Sequence, residues 1–212
     1  MSTARRQSHA ADRAEPRPLK RADLPRDTIQ LARFLIGKIL VREIDGTRLA
    51  GRIVETEAYV VGDAASHAFR GETRRNRSMF RQHGRAYVYI AYGMWPALNV
   101  TSERAGIGAA VLLRALEPLD GLEAMRTRRG PVRDLDLARG PGRLASALGV
   151  TLSHDGRDLC DGGELRLAAA SRRRGAIVTA TRIGITKDAD RRLRFFERQN
   201  PFVSGPRRLI SG

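Results

Sequence analysis

Two glutamates that are two positions apart, Glu55 and Glu57, lie in a run of strand-forming residues, RIVETEAY at 52–59. Side chains at positions i and i+2 of a strand point to the same face, so this spacing places the two carboxylates together. A carboxylate on a sheet face beside aromatic side chains is a candidate general base. An acid that only pairs with one of the many arginines would fit equally well, and the spacing does not choose between Glu55 and Glu57.

All four tyrosines and the only tryptophan lie in one segment, 59–95. Tyr87 and Tyr89 share one face of a predicted strand, and Tyr92 lies at the turn that follows. Tyrosines that line a pocket can stack on a nucleobase. A tyrosine at a turn, followed by Met94, can insert between base pairs. The alternative is an ordinary core in which the tyrosine hydroxyls bond to the backbone.

The charge of the chain favours a polyanionic partner. Lysine and arginine number 39 against 23 acidic residues, which gives a net charge of +16, and only Lys20, Lys38 and Lys187 are lysines. The planar guanidinium of arginine binds phosphate through two hydrogen bonds, so this composition predicts a nucleic-acid partner. A genome rich in G and C would also enrich arginine codons without any such function.

Five other positions carry groups that could bind a ligand. Arg114 lies in an apolar run and needs either an acid or a bound anion as its partner. Gly140 and Arg143 begin a predicted helix, where free amides and a guanidinium can hold a phosphate. His67 lies in a polar loop and Asn99 in a predicted interior strand.

Cysteine and histidine are too sparse for a disulfide framework or a metal centre. Cys160 is the only cysteine, and the four histidines show no metal-ligand spacing. We therefore expect a reducing compartment, no metal and no cofactor. The sequence has no run of 18 uncharged apolar residues and no signal-peptide pattern, which predicts a cytoplasmic protein without a membrane span, associated with the nucleoid in a bacterium.

The order of the predicted elements favours one α+β domain around a mainly antiparallel curved sheet, with surrounding helices and a protruding β-hairpin. Residues 1–24 are basic and lack an apolar period, so we expect a disordered arm before a folded domain at 25–212. An Asp-Gly pair at 45–46 predicts a hairpin. Strands are predicted at 38–44, 47–59, 86–92, 97–102, 109–116, 164–168, 176–183 and 193–196, helices at 29–36, 74–82, 119–128 and 140–148, a turn at 93–96, a strand break at 117–118 and a loop at 172–175.

Five motifs occur together and in order: RIVETEAY at 52–59, RNR at 75–77 with MF at 79–80, YVYIAYGM at 87–94, VLLRALEP at 111–118 and GP at 140–141. Together they closely resemble the alkyladenine (3-methyladenine) DNA glycosylase family, from about residue 24 to residue 204. The pair Trp95-Pro96 departs from that pattern. The resemblance implies double-stranded DNA with damaged purines as the partner, and a monomer that acts on it.

The resemblance also assigns the groups around the base. Glu57 matches the general base of the family. Tyr59, His67 and Tyr89 match the residues that enclose a flipped base, and Asn99 matches a residue that screens purines at their minor-groove edge.

Further positions match groups that contact the DNA. Tyr92 matches the residue that fills the gap left in the duplex, with Met94 beside it. Arg114 matches a buried arginine near the catalytic water and the backbone phosphate, and Gly140 and Arg143 lie at the predicted phosphate seat.

The implied reaction is hydrolysis of the N-glycosidic bond of 3-methyladenine and other alkylated or deaminated purines, which leaves an abasic site. A glycosylase with lyase activity needs an amine nucleophile, and no lysine belongs to the cluster of acids and aromatic residues. A non-catalytic basic nucleic-acid-binding protein is the other alternative; it explains the arginines and aromatic residues but not the acids among them.

Overall fold

The fold is known from a computed structural model, which describes residues 15–170 and 174–205. Within these residues the α-helices are α1 (Thr28–Leu35), α2 (Leu122–Arg129) and α3 (Pro141–Ala147). The strands are β1 (Ile39–Ile44), β2 (Thr47–Tyr59), β3 (Ala86–Ala91), β4 (Trp95–Thr101), β5 (Ala110–Asp120), β6 (Leu165–Ala168), β7 (Ile177–Ala180) and β8 (Arg194–Glu197).

The long strand β2 organises the sheet. One of its edges pairs with β5, and the other pairs first with β1 and then with β8. The strand order is β3-β4-β5-β2-β1-β6, with β7 attached to β8, and all these pairs are antiparallel. The sheet is curled, so the prediction of a single α+β domain around a mainly antiparallel curved sheet is confirmed.

The first hairpin forms where the sequence predicts it. Asp45 and Gly46 both have left-handed backbone angles, with φ of +48° and +74°. A two-residue turn of this kind matches the twist of the flanking strands. It therefore sets the register between β1 and β2, the strand that contains the acidic pair.

Helix α1 packs against the part of β2 that carries the two glutamates. Asp27 caps the helix by accepting a hydrogen bond from the Gln30 amide at 2.8 Å. Leu31 is fully buried in the core, and the hydroxyl of Thr56 donates to the carbonyl of Ala32 at 3.0 Å. The helix and the strand are thus fixed to each other directly beside the acidic pair.

The β3–β4 hairpin has a shorter turn than the predicted 93–96. Trp95 pairs with Ala91 and Pro96 with Ile90, so both belong to β4 and that prediction is wrong. A Cβ added to Gly142 would lie 3.0 Å from the Cβ of Trp95, which shows how closely this strand approaches α3. The start of β4 therefore packs against α3, a contact that the turn residues in the sequence do not reveal.

Strand β5 also continues past the break predicted at 117–118. It ends at Asp120, and Pro118 pairs with Gly51 beside an irregularity in the register. Proline lacks an amide hydrogen, and such irregular positions are where a sheet tolerates it. Gly121, with φ of +71°, then precedes α2, which begins at Leu122 and therefore later than predicted.

Two further predicted elements are shorter in the structure. Only a 3₁₀ turn, Arg77–Phe80, replaces the helix predicted at 74–82. The strand predicted at 176–183 ends at Ala180, and beyond it the amide of Ile183 donates to the Glu57 side chain. Half of the loop predicted at 172–175 lies outside the described residues.

The end of the predicted basic arm packs on the sheet. Leu19 is buried, its amide donates to the carbonyl of Leu167 at 2.9 Å, and Leu24 is also part of the core. The prediction of disorder for residues 1–14 lies outside the described residues. In the part of the chain that the structure describes, no helix is long and apolar enough to cross a membrane.

Candidate active site

Two buried acids and two buried arginines meet where β2, β5 and β8 lie side by side. Glu55 and Glu57 are both fully buried. Arg114 on β5 contacts both acids, with its Nη1 3.2 Å from Glu57 Oε1 and its Nε 3.3 Å from Glu55 Oε1. Arg194 on β8 places its Nε 3.4 Å from the same oxygen of Glu55. The glutamates therefore share one face, as their spacing predicted.

The remaining partners distinguish the two glutamates. Glu55 Oε2 accepts a hydrogen bond from the Ser204 amide at 2.7 Å, and both arginines contact its other oxygen. Glu57 Oε1 accepts from the Ile183 amide at 2.8 Å, and its Oε2 accepts from the hydroxyl of Tyr59 at 3.1 Å. The partners of Glu55 are thus the two arginines and a backbone amide. Glu57 contacts Arg114 and also bonds to an aromatic side chain, that of Tyr59.

Burial and charge act against each other at Glu57. Burial raises the pKa of Glu57 above its ordinary value, while the Arg114 charge and the Ile183 amide oppose the shift. Burial by itself would lower the pKa of Arg114, but Glu57 and Glu55 outweigh it and raise that pKa. Arg114 is therefore a permanent cation that favours the ionised form of Glu57.

Three aromatic side chains form one continuous cluster. Nδ1 of His67 lies 2.8 Å from the hydroxyl of Tyr87, and the His67 ring meets the Tyr89 ring edge-on with centroids 4.4 Å apart. The rings of Tyr87 and Tyr89 are 5.6 Å apart. Burial, with the nearby charge of Arg75, lowers the pKa of His67, so its imidazole is neutral at neutral pH.

Tyr59 joins this cluster to the acids. Its hydroxyl bonds to Glu57, and burial, with the charge of Glu57 and the nearness of Tyr89, raises the pKa of Tyr59. The hydroxyl thus stays protonated and donates. The guanidinium carbon of Arg182 lies 4.7 Å from the centre of the Tyr59 ring.

Asn99 lies on β4 directly opposite Tyr87. The Asn99 side chain is buried, and its amide nitrogen donates to the backbone carbonyls of Tyr87 at 3.0 Å and Ala97 at 3.4 Å. These two bonds fix the plane of the amide next to the aromatic cluster.

The tip of the β3–β4 hairpin presents apolar side chains to solvent. Tyr92 is 86% exposed with φ of +51°, and Met94 is 68% exposed. A Cβ added to Gly184 would lie 3.4 Å from the hydroxyl of Tyr92, so the tip reaches over the loop that precedes β8. Tyr92 is therefore outside the aromatic cluster that holds Tyr87 and Tyr89.

A basic cavity of about 400 Å³ opens beside Arg114. Gly140 and Arg143 line it at the start of α3, and Arg139 and Ser204 complete the wall. The side chain of Arg143 is about half exposed and lies 3.5 Å from Asp136, so it is only partly neutralised. Arg114 thus pairs with both acids and also lines the cavity.

Several groups at the site were not found from the sequence. Arg182, Asp63 and the backbone amide of Ile183 come from irregular segments, and Ser204 and Arg194 lie far along the chain from the motifs. The only sequence signal was that buried arginines need partners. Among the described residues, no three histidine, cysteine, aspartate or glutamate side chains are grouped to hold a metal ion.

Comparisons with known proteins identify the family of the chain. A family profile described as methylpurine-DNA glycosylase (MPG) matches residues 22–201. A Mesorhizobium japonicum protein named "Putative 3-methyladenine DNA glycosylase" is 59% identical over 203 residues, which cover 95% of this chain and 98% of that protein. A Paraburkholderia phytofirmans protein of the same name is 51% identical over 91% of both chains. The chain therefore belongs to the methylpurine-DNA glycosylase family and is a DNA glycosylase, a hydrolase that acts on N-glycosyl bonds in DNA.

Proposed function

We propose that this glycosylase rotates damaged purines out of duplex DNA and removes them by hydrolysis, with Glu57 as the general base. Its substrates would be 3-methyladenine and other alkylated or deaminated purines, and its product an abasic site. The observation that carries the proposal is the position of Glu57: a buried carboxylate that Arg114 and the Ile183 amide stabilise as an anion, directly bonded to Tyr59 of the aromatic cluster.

Rotation out of the helix is required because the base stack shields the glycosidic bond. Alkylated and deaminated bases pair and stack poorly, which lowers the free energy of flipping by a few kcal/mol and favours them over normal bases. In our proposal Tyr92 and Met94 fill the gap in the duplex, because they are apolar, exposed and at the tip of a hairpin.

The flipped base would lie among Tyr59, His67 and Tyr89. The electron-rich faces of tyrosine rings attract cations, so a purine that alkylation has made cationic is favoured there. Asn99, fixed by its two backbone bonds, would reject purines whose edge does not fit. The neutral imidazole of His67 can offer a hydrogen bond to the base without adding a second positive charge.

The chemical step would begin with a water molecule between Glu57 and C1′ of the deoxyribose. As the bond between C1′ and the purine nitrogen breaks, the sugar gains oxocarbenium character, which the negative charge of Glu57 stabilises. The water oxygen then bonds to C1′ while the Glu57 carboxylate accepts the proton of the water. A cationic alkylated purine leaves as a neutral base, whereas a neutral purine such as hypoxanthine must gain a proton from solvent to leave neutral. The basic cavity at Arg114, Gly140 and Arg143 would hold a neighbouring phosphate.

Lyase activity would require a lysine amine close to the proposed site. The ammonium group of Lys38 lies over the ring of Phe34 at 4.5 Å. Lys187 comes nearer: it lines a cavity of about 310 Å³ that His67 and Tyr87 also border. The residues lining that cavity do not include Glu57 or Tyr59, which supports a monofunctional enzyme that forms no Schiff base.

Duplexes that each carry one lesion would test the proposal. We expect free damaged base, intact abasic DNA and no complex trapped by borohydride. A trapped complex that Lys187→Ala removes would show lyase activity instead. A non-catalytic binding protein would retain the DNA without releasing base. We further propose that the chain acts as a monomer, in the compartment that holds the DNA; sizing the complex with a lesion duplex would test that.

A further inference from the structure

Asp63 and Arg182 form an ion pair that is as deeply buried as Glu57. Both side chains are fully shielded from solvent. Arg182 Nη2 donates to Asp63 Oδ1 at 3.0 Å, and its Nη1 contacts the other oxygen of the same carboxylate. Burial of such a pair yields little net stability compared with apolar packing, so stability alone does not account for it.

Arg182 contacts the residues that directly follow Glu57. Its Nη1 donates to the carbonyl of Ala58 at 3.1 Å, and its guanidinium lies against the ring of Tyr59. The next residue in the chain, Ile183, donates its amide to Glu57. Arg182 therefore contacts the ring of Tyr59 and directly precedes Ile183, and these two residues donate hydrogen bonds to the Glu57 carboxylate in addition to Arg114.

The loop that carries Arg182 is fastened a second time. Arg182 Nη2 also donates to the carbonyl of Asp188 at 3.3 Å, and the carboxylate of Asp188 accepts from the Ala64 amide at 2.9 Å. The segment around Asp63 and the segment around Arg182 thus hold each other on the side of the site away from β5.

We propose that Arg182 is a positioning residue for Glu57, held in its place by Asp63; this inference rests on the function proposed above. It keeps the two hydrogen-bond donors aimed at the carboxylate, so that Glu57 stays ionised and oriented towards the water. It acts through Tyr59 and Ile183.

Other charged or titratable groups also act on Glu57 and must be left in place by the test. They are Arg114 on β5, Glu55 and Tyr59 on β2, Tyr89 on β3, Arg194 on β8, and Arg182 itself. Arg182→Lys keeps the positive charge but loses the planar fork and the contact with the Tyr59 ring. It therefore changes the geometry while the charges around Glu57 are conserved.

Single-turnover excision measured against pH with Arg182→Lys is the experiment. We expect the acidic limb of the profile to move upward by about one pH unit, because a hydrogen bond to the carboxylate is lost. Excision on the acidic side then falls about tenfold, whereas lesion-duplex binding changes less than about twofold. Asp63→Asn should move the limb in the same direction, and the double variant should add little.

Arg166→Lys is the matched control. Arg166 is also buried and pairs with Glu43 at 3.0 Å, but it lies on β6, which pairs with β1 and not with β2. We expect it to lower thermal stability without moving the acidic limb. Folded Arg182→Lys and Asp63→Asn proteins with the wild-type limb would overturn the inference while the proposed function stands. A wild-type protein that releases no base would refute both.

Discussion

Two regions of the site differ in how they expose their side chains: the acid–arginine cluster of Glu55, Glu57, Arg114 and Arg194, and the tip of the β3–β4 hairpin. In the cluster, Glu57 is fully buried and Arg114 nearly so, and each contacts at least one opposite charge. At the tip, Tyr92 and Met94 are mostly exposed, on a turn with a left-handed backbone. The charged groups of the cluster already have their partners in the free protein. The apolar side chains of the tip are exposed and do not pack in the core.

The difference follows from the energetics of each kind of group. A buried charge is tolerated only with partners in good geometry, so the cluster must be in place before any substrate arrives. Exposed apolar side chains gain their free energy when another molecule covers them. We therefore expect changes in the cluster to affect the chemical step and changes at the tip to affect binding.

The largest effect should come from Glu57→Gln. The amide cannot accept a proton from water, so we expect single-turnover excision to fall by about 10²- to 10⁴-fold while lesion-duplex binding persists. Glu197→Gln is a buried control: Glu197 pairs with Arg52 at 3.1 Å, away from the aromatic cluster. It should lower stability but leave the rate per folded molecule unchanged. An active Glu57→Gln enzyme beside an inactive Glu55→Gln enzyme would mean that Glu55 is the base.

At the tip, Tyr92→Ala should weaken binding to a lesion duplex by roughly 5- to 150-fold, since stacking on a base contributes about 1–3 kcal/mol. The loss should shrink on undamaged duplex, where arginine–phosphate contacts dominate. Titration against both duplexes at one salt concentration measures this.

Two variants calibrate that result. Leu152→Ala removes another exposed apolar side chain, and it should have no effect on either duplex. Tyr59→Ala should change which bases are excised as well as how tightly they bind. Equal losses on damaged and undamaged DNA for Tyr92→Ala would contradict the role of the tip.

The pH dependence should sharpen the assignment of Glu57. The carboxylate is the active form, and burial raises the pKa of Glu57, so activity should disappear as the pH falls through a midpoint above that of a free glutamate. Below the midpoint we expect about a tenfold loss per pH unit. Rates corrected for spontaneous depurination would show it, and the residual rate of Glu57→Gln should lack this limb. A midpoint at or below the free value would count against our site.

The smallest effect is expected at the basic cavity. Arg143→Gln should weaken damaged and undamaged duplex alike by a few-fold, and reduce the slope of log K against log salt by about one, for one lost phosphate contact. Arg17→Gln offers a matched control, because Arg17 is also exposed and also lies 3.5 Å from an aspartate, Asp23. A change in lesion preference with Arg143→Gln would mean that this arginine contacts the base instead.

Local chemistry was enough to predict much of this protein. The Asp45-Gly46 turn, the alternation along β2 and the apolar run of β5 each depend on a few neighbouring residues, so they were visible in the sequence. The same alternation placed Glu55 and Glu57 on one face, and the five ordered motifs identified the family that the comparisons confirm.

Tertiary structure alone decided how the two glutamates differ. Glu55 is bonded by Ser204 and Glu57 by Ile183, partners that lie 149 and 126 positions away in the chain. It also decided that the strand predicted at 176–183 stops early, which frees Arg182 to reach Asp63 and Tyr59. Periodicity describes which way a side chain points, whereas a partner across the sheet depends on how distant segments pack, and for this reason the sequence left both acids as candidates.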